Sequence, residues 1–145
     1  MSTLREVAGA LLIHPSRTVL LHHRDDKPTI TNPGKWALFG GHIDLGESPA
    51  DAIIRELHEE IGLQVKQPQL FTVLHGVTAR YHMFLLPIIA TVEELVLNEG
   101  QGMAYYEPEM ALQSLNLTTT ARAVLNMYLA YEQFRKEETG SITPW

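Results

Sequence analysis

An α/β fold, with helices packed on a mixed β-sheet, is the class this sequence predicts, and three observations predict it. Short apolar, branched segments open the chain as a strand pair from Val7 to His14 and from Thr18 to His23. A capped, two-sided helix follows from Ser48, and a helix-periodic segment closes the chain after two more strand-like runs. Strands and helices mixed in this order argue for α/β or α+β packing. The chain has 145 residues with 45% hydrophobic content. That size fits one domain, residues 1–145, able to bury about two thirds of its unfolded surface.

Each element has a local reason. In "VAGALLIH" and "TVLLHH" the runs are short and apolar, and "PSR" between them reads as the turn of a hairpin. "RDDKPTITNPG" is a polar loop, and "KWALFGG" reads as a strand ending in two glycines. Ser48 is a good N-cap, Pro49 suits the first helical position, and Asp51 stands where a capping-box acid bonds back. The helix is expected to stop at Ile61 because Gly62 follows. "QLFTVLHGV" and "YHMFLLPIIATVE" predict a second strand pair joined near "TAR", with Pro87 marking an edge or a bulge. After the loop "LNEGQG" come a short strand, "MAYY", and a short helix opening at Pro108. The last helix is expected from Thr119 to Lys136, with Ala121, Val124, Leu125, Tyr128, Leu129 and Phe134 at helical spacing.

Charge and composition narrow the chemistry. The net charge is −6 and the pI about 5.6, which repels nucleic acid polymers and anionic membranes. No run of roughly 18 apolar residues occurs and no secretory block opens the chain, so a cytoplasmic location without membrane attachment is expected. The absence of cysteine leaves histidine and carboxylate as the ionisable metal ligands. The seven histidines lack the paired spacing of a zinc helix.

The first helix concentrates acid. At about 100° per residue, Ile53, Ile54, Leu57 and Ile61 form one stripe, while Glu56, Glu59 and Glu60 share a neighbouring arc and Arg55 pairs with Glu59 on the outer flank. Two carboxylates about 5 Å apart repel by roughly 3 kcal/mol at an effective dielectric near 20. One arginine cannot neutralise three of them. Oxygen clusters of this kind suit a hard divalent cation; a solvated acidic face balanced by nearby Arg and Lys is the plainer alternative.

The wider pattern decides between them. From Gly41 there are five residues, then Glu47; seven more, then Arg55-Glu56-Leu57; one more, then Glu59-Glu60; one more, then Gly62-Leu63. A chance match has a probability on the order of one in a billion per starting position. At these positions the stretch Gly41 to Leu63 resembles the Nudix box without a departure. The resemblance implies a Nudix-like α/β/α sandwich with a mixed sheet, hydrolysing a diphosphate linkage in a nucleoside diphosphate derivative with Mg²⁺ or Mn²⁺.

Carried over residue by residue, the resemblance makes Glu56, Glu59 and Glu60 metal ligands and Gly41 a backbone-carbonyl ligand. Arg55 would orient a carboxylate, and Glu47 would stand outside the ring of ligands. A general base is also implied: Glu56, or Glu99 in "LNEGQG", which matches by order of elements a late-loop glutamate of several branches. The family usually has Pro-Gly-Gly where this chain has Phe39-Gly40-Gly41, which leaves the substrate subgroup open.

Substrate marks are fewer. Arg24 matches a position where family members contact phosphate or base, and Tyr81 lies near the tyrosine of diadenosine polyphosphate hydrolases. Trp36 and Tyr105 or Tyr106 offer base-stacking faces, although a Trp beside a strand also packs in a core. The candidate substrates are a nucleotide sugar, a modified nucleoside triphosphate and ADP-ribose. A homodimer is implied by the resemblance. The competing class is a nucleotide sensor on the same fold that binds without hydrolysis.

Overall fold

The computed structural model describes residues 3–140, so the ends of the expected 1–145 domain lie outside the described residues. The chain begins with β1 (Arg5–Ile13) and β2 (Val19–His23), the expected hairpin. His14 N–H donates to Thr18 C=O at 2.8 Å across its turn, where Arg17 takes φ 68°. β1 is the organising strand. Along one side it runs parallel to β6 (Ala79–Pro87), from Arg5↔Ala79 to Ile13↔Pro87. Its other side is shared: Leu12 and Ile13 pair with β2, and Val7 to Ala10 pair antiparallel with β4 (Phe39–His42).

The segment expected as one strand, "KWALFGG", is two. β3 (Trp36–Ala37) pairs with the end of β2, whereas β4 pairs with the start of β1, and the chain changes partner at Leu38. β5 (Leu70–His75) pairs antiparallel with β6 and carries a register shift between Leu70 and Thr72. The bulge therefore falls on β5 and not at Pro87. Pro87 ends β6, a strand flanked by β1 and β5, at a point beyond the last residue that β5 pairs. Its missing N–H thus removes no bond to β5. The expected strand through Glu93 is also shorter: Val92–Glu94 form a 3₁₀ turn, where Thr91 N–H donates to Glu94 Oε1 at 3.1 Å. β7 (Gly102–Tyr106) completes the seven-stranded mixed sheet by pairing antiparallel with β2.

Helices cover both faces, as an α/β/α sandwich requires. On one side α1 (Pro49–Ile61) buries Ala52, Ile53, Leu57 and Ile61 against Ala8, Ala10, Leu12, Leu20, Phe39 and Phe84. On the other side α2 (Pro108–Ser114) and α3 (Thr119–Gly140) pack Ala111, Ala121, Val124, Leu125 and Tyr128 onto Leu11, Val19, Leu21 and Met83. The period-two alternation of β1 and β2 sends neighbouring residues to opposite cores. Ser48 Oγ accepts from Asp51 N–H at 3.1 Å, and Gly62 closes α1 in the left-handed region at φ 69°.

Two apolar assignments change. Ile54 is half-buried and is not part of the buried stripe, since Ala52 takes the place beside Ile53 that faces the sheet. Phe134 is 59% exposed because α3 runs on past the sheet to Gly140. Truncation at these positions has separable costs. Leu57→Ala, at a fully buried position, is expected to destabilise the protein by about 2–5 kcal/mol. Ile54→Ala is expected to cost less than half as much in the same urea titration, and equal losses would contradict this packing.

Candidate active site

The acidic helix and the two glycines of β4 meet at one place. Gly41 has no Cβ, and one built there would come within 2.5 Å of Glu56 Oε1, so only glycine lets the Glu56 carboxylate lie against this main chain. One residue earlier, Gly40 N–H donates to Glu60 Oε1 at 2.9 Å. Glu60 is 7% exposed, a buried acid with one hydrogen bond from the chain and no cationic side chain in contact among the described residues.

Arg55 holds the rest. Its Nε and Nη2 grip Glu47 in a two-pronged pair at 2.8 and 2.9 Å, and Nη2 also donates to His42 C=O at 3.0 Å. Nη1 donates to Glu56 Oε1 at 3.0 Å and to Glu59 Oε2 at 3.3 Å. The guanidinium thus ties the loop before α1 to two turns of the helix, with a planar fork that lysine cannot copy. Hydrogen bonding from Arg55 holds the Glu47 carboxyl down at about 2, and Glu47 in turn raises the affinity of Arg55 for its proton.

The other two acids go the opposite way. Burial raises Glu56, with Arg55 opposing and with Glu59 and Glu99 adding repulsion. Burial pushes Glu60 up to about 8; Gly40 N–H and Arg24 oppose the shift, while Glu56 and Glu99 reinforce it. Glu59 is drawn outward by Arg55, its side chain 58% exposed. Among the described residues no three acidic or histidine side chains are already gathered around a single point. The inner acids are Glu56 and Glu60, with Glu99 close enough to perturb both. All-oxygen donors that repel one another and are partly stripped of water fit a hard divalent cation, which supplies the missing positive charge. Residues Glu56, Glu60 and Gly41 are thus placed together, and Glu59 is placed at their outer side.

Glu99 lies in the loop ahead of β7, exposed, and its backbone C=O accepts from His22 Nε2 at 2.7 Å. His22 is buried, and burial lowers its proton affinity below that of an ordinary imidazole. Two cavities flank these acids. One, of about 450 Å³, is lined by His22, Arg24, Lys27, Asn98 and Glu99. The other, of about 310 Å³, lies over β1 and β6 and takes in Gly40, Gly41, Tyr81, Arg24, Asn32 and Thr118. Arg24 lines both, its Nε donating to Thr31 C=O at 3.0 Å.

Trp36 stands outside both linings. One face stacks on His23 at 4.4 Å and its edge meets Tyr106 at 5.1 Å, so the ring packs between β3 and the α3-side core. Tyr105 OH donates to Ala90 C=O at 2.6 Å, which engages a second stacking candidate in holding the chain after β6. His22, Asn32, Asn98 and Thr118 also line these cavities, and none of them belongs to a motif in the sequence. A signal existed for His22: it has the same strand parity as Leu20, so an imidazole falls on an apolar face.

The raised Glu60 carboxyl predicts a pH effect. Its folded value, about 8, exceeds the ordinary 4.5, so the native state holds the proton more tightly than the unfolded chain does. Stability is then highest near pH 4.5 on this account and declines as pH rises towards 8. In the presence of a chelator, melting temperature is expected to fall by at least about 5 °C across that window. Glu60→Gln is expected to flatten the profile, and a wild-type profile already flat would contradict it.

Known proteins resemble this chain in sequence and in fold. The NUDIX domain profile matches residues 3–126. A nucleoside triphosphatase, NudI, from Escherichia fergusonii is 30% identical over 130 residues, covering 79% of this chain and 91% of that protein. An 8-oxo-dGTP diphosphatase from Proteus vulgaris is 39% identical over 70 residues, covering 48% of this chain and 62% of its own length. A solved structure of MutT, from work on Aliivibrio salmonicida and Vibrio cholerae, superimposes with a TM-score of 0.73 at 22% identity, over 89% of this chain and 99% of that one. With the profile spanning β1 to the middle of α3 and the acidic helix at its centre, this chain belongs to the NUDIX family.

Proposed function

We propose that this protein is a pyrophosphohydrolase that cleaves a diphosphate linkage of a small nucleotide, a nucleoside triphosphate first among the candidates, with Mg²⁺ or Mn²⁺. The observation that carries the proposal is the pair Glu56 and Glu60, set against Gly41 and Gly40, two residues that line a cleft which also presents Arg24. Glu60, a buried acid with no cationic side chain in contact among the described residues, is costly to the fold, and a use for it in binding a cation explains its presence. The triphosphate is favoured over a nucleotide sugar or ADP-ribose by the relatives, a nucleoside triphosphatase, NudI, and an 8-oxo-dGTP diphosphatase.

The residues divide the task. Glu56 and Glu60, with Gly41 and the outer Glu59, would hold the cation, whose chemistry when bound is to neutralise phosphate charge and to make water more acidic. Arg55 keeps Glu56 aimed and lets Glu47 anchor the guanidinium from behind. Arg24 lines both cavities and places a fixed positive charge where a polyphosphate crosses from one to the other. Tyr81 borders the 310 Å³ cleft, where the nucleoside would lie. Glu99 lines the 450 Å³ cavity as an exposed carboxylate able to accept a proton from the attacking water. The water forms a bond to phosphorus as the bridging oxygen leaves with the electron pair.

Chromatography of a nucleotide panel with Mg²⁺ or Mn²⁺ tests the reading. Nucleoside triphosphates are expected to be turned over fastest, and faster cleavage of nucleotide sugars or ADP-ribose would move the substrate assignment. Binding without cleavage of any compound would favour the sensor. For the best substrate, Glu60→Gln is expected to lower kcat by about a hundredfold or more. Unchanged turnover would remove Glu60 from the site.

A further inference from the structure

The loop carrying Glu99 is stitched from two sides. On the α1 side, Val96 N–H donates to Ile61 C=O at 3.2 Å and Asn98 N–H to Glu60 C=O at 2.9 Å. The Asn98 side chain donates to Glu59 C=O at 2.8 Å, so this loop satisfies carbonyls that the end of the helix leaves free. On the β2 side, His22 Nε2 meets Glu99 C=O at 2.7 Å, Gln101 N–H donates to His23 C=O at 2.8 Å, and Gln101 Nε2 donates to Arg24 C=O at 2.8 Å. The loop thus bridges the acidic helix to the strand end that bears Arg24.

His22 is the contact made at Glu99 itself. A backbone carbonyl only accepts, so the proton must be on Nε2. The ring is held from behind by Phe39, stacked at 5.0 Å with planes 21° apart. On its open side comes Gly100, at φ +97°, where a Cβ would collide with the imidazole Nε2. Phe39 stands where the family usually has proline, immediately before Gly40 and Gly41. One aromatic stack therefore joins the strand that shapes the acid pocket to the loop that carries the exposed acid.

We propose that His22 is a positioning residue for Glu99: buried between Phe39 and Gly100, its Nε2–H clamps the Glu99 carbonyl and so sets where the Glu99 carboxylate stands relative to Glu56 and Glu60. The proposal rests on the reading of this site as a pyrophosphohydrolase with Glu99 in proton transfer. Fixing one backbone atom of a loop residue limits how far its side chain can wander, and orientation of this kind is worth orders of magnitude in rate. His22 touches no substrate in this scheme, and its effect passes through Glu99.

The test compares His22→Leu, His22→Gln, Glu99→Gln and the His22→Leu/Glu99→Gln double variant with the best nucleotide of the panel. His22→Leu keeps the bulk and loses the donor, whereas the Gln amide reaches the same carbonyl. His22→Leu is expected to lower kcat by about tenfold or more with KM within about twofold. His22→Gln is expected to stay within about threefold of wild type, and the double variant is expected to be no slower than Glu99→Gln alone, because the two act as a unit. Wild-type turnover in His22→Leu, or losses that multiply in the double variant, would overturn the proposal. A wild-type rate in Glu99→Gln instead removes Glu99 from the chemistry and leaves the clamp to a second readout. In protein free of metal and nucleotide, nitrogen NMR is expected to show His22 protonated at Nε2. Slowed amide exchange at Gln101 is expected to be lost in His22→Leu and kept in His22→Gln. The opposite tautomer, or unchanged exchange in His22→Leu, refutes the clamp whether or not any nucleotide is cleaved.

Discussion

Carboxylates that repel one another are kept side by side here by the burial of the other side of their own helix. Ile53, Leu57 and Ile61 are fully buried against the sheet, and their packing fixes the rotation of α1 about its axis. Once that rotation is set, Glu60 is turned inward, left only 7% exposed, and Glu56 lies over Gly41. Apolar packing at these three positions is worth several kcal/mol in total, enough to hold acids whose proton affinities are raised by burial and mutual repulsion. The fold therefore stores an unfavourable charge arrangement at one point and supports it from the core.

The sheet contributes a second constraint, the close approach of main chain to side chain. β4 pairs with the first half of β1, which brings Gly40 and Gly41 under the helix, and the same strand presents Phe39 to His22. β2 leaves β1 after two paired residues and turns to β3 and β7, carrying His22, His23 and Arg24 towards the loop ahead of β7. The acid pocket, Arg24 and the late loop are thus neighbours because two strands share one edge of β1. Arg55 then distributes a single positive charge over Glu47, Glu56 and Glu59, and the loop from Gly41 to Glu47 cannot move without the helix.

Much of this is legible in the sequence. The spacing from Gly41 to Leu63, read with helical geometry, puts Glu56, Glu59 and Glu60 on one arc and pairs Arg55 with Glu59; that pair forms, but Arg55 also holds Glu56, and Glu59 stands 58% exposed while Glu60 is buried. Capping by Ser48, termination at Gly62 and the β1–β2 hairpin follow from residues adjacent in sequence, and the structure has all three. Errors arose where partners were distant. "KWALFGG" has the composition of one strand, and only the existence of two different neighbours splits it at Leu38. Phe134 has helical spacing, yet the sheet beneath α3 ends before it.

What the sequence alone determined is therefore local: which residues could cap, alternate, repeat at helical period, or crowd like charges on one arc. The tertiary structure decided which of those acids lost water and which kept it. Glu59 and Glu60 are neighbours in the chain with identical chemistry, but Glu59 meets Arg55 in solvent while Glu60 meets a backbone N–H inside the fold. The same holds for Trp36, spent on His23 and Tyr106, and for His22, raised from one of seven histidines to a clamp on Glu99. The physical reason is that desolvation and hydrogen-bond partnership depend on every surrounding element at once, whereas propensity and periodicity are properties of a few consecutive residues.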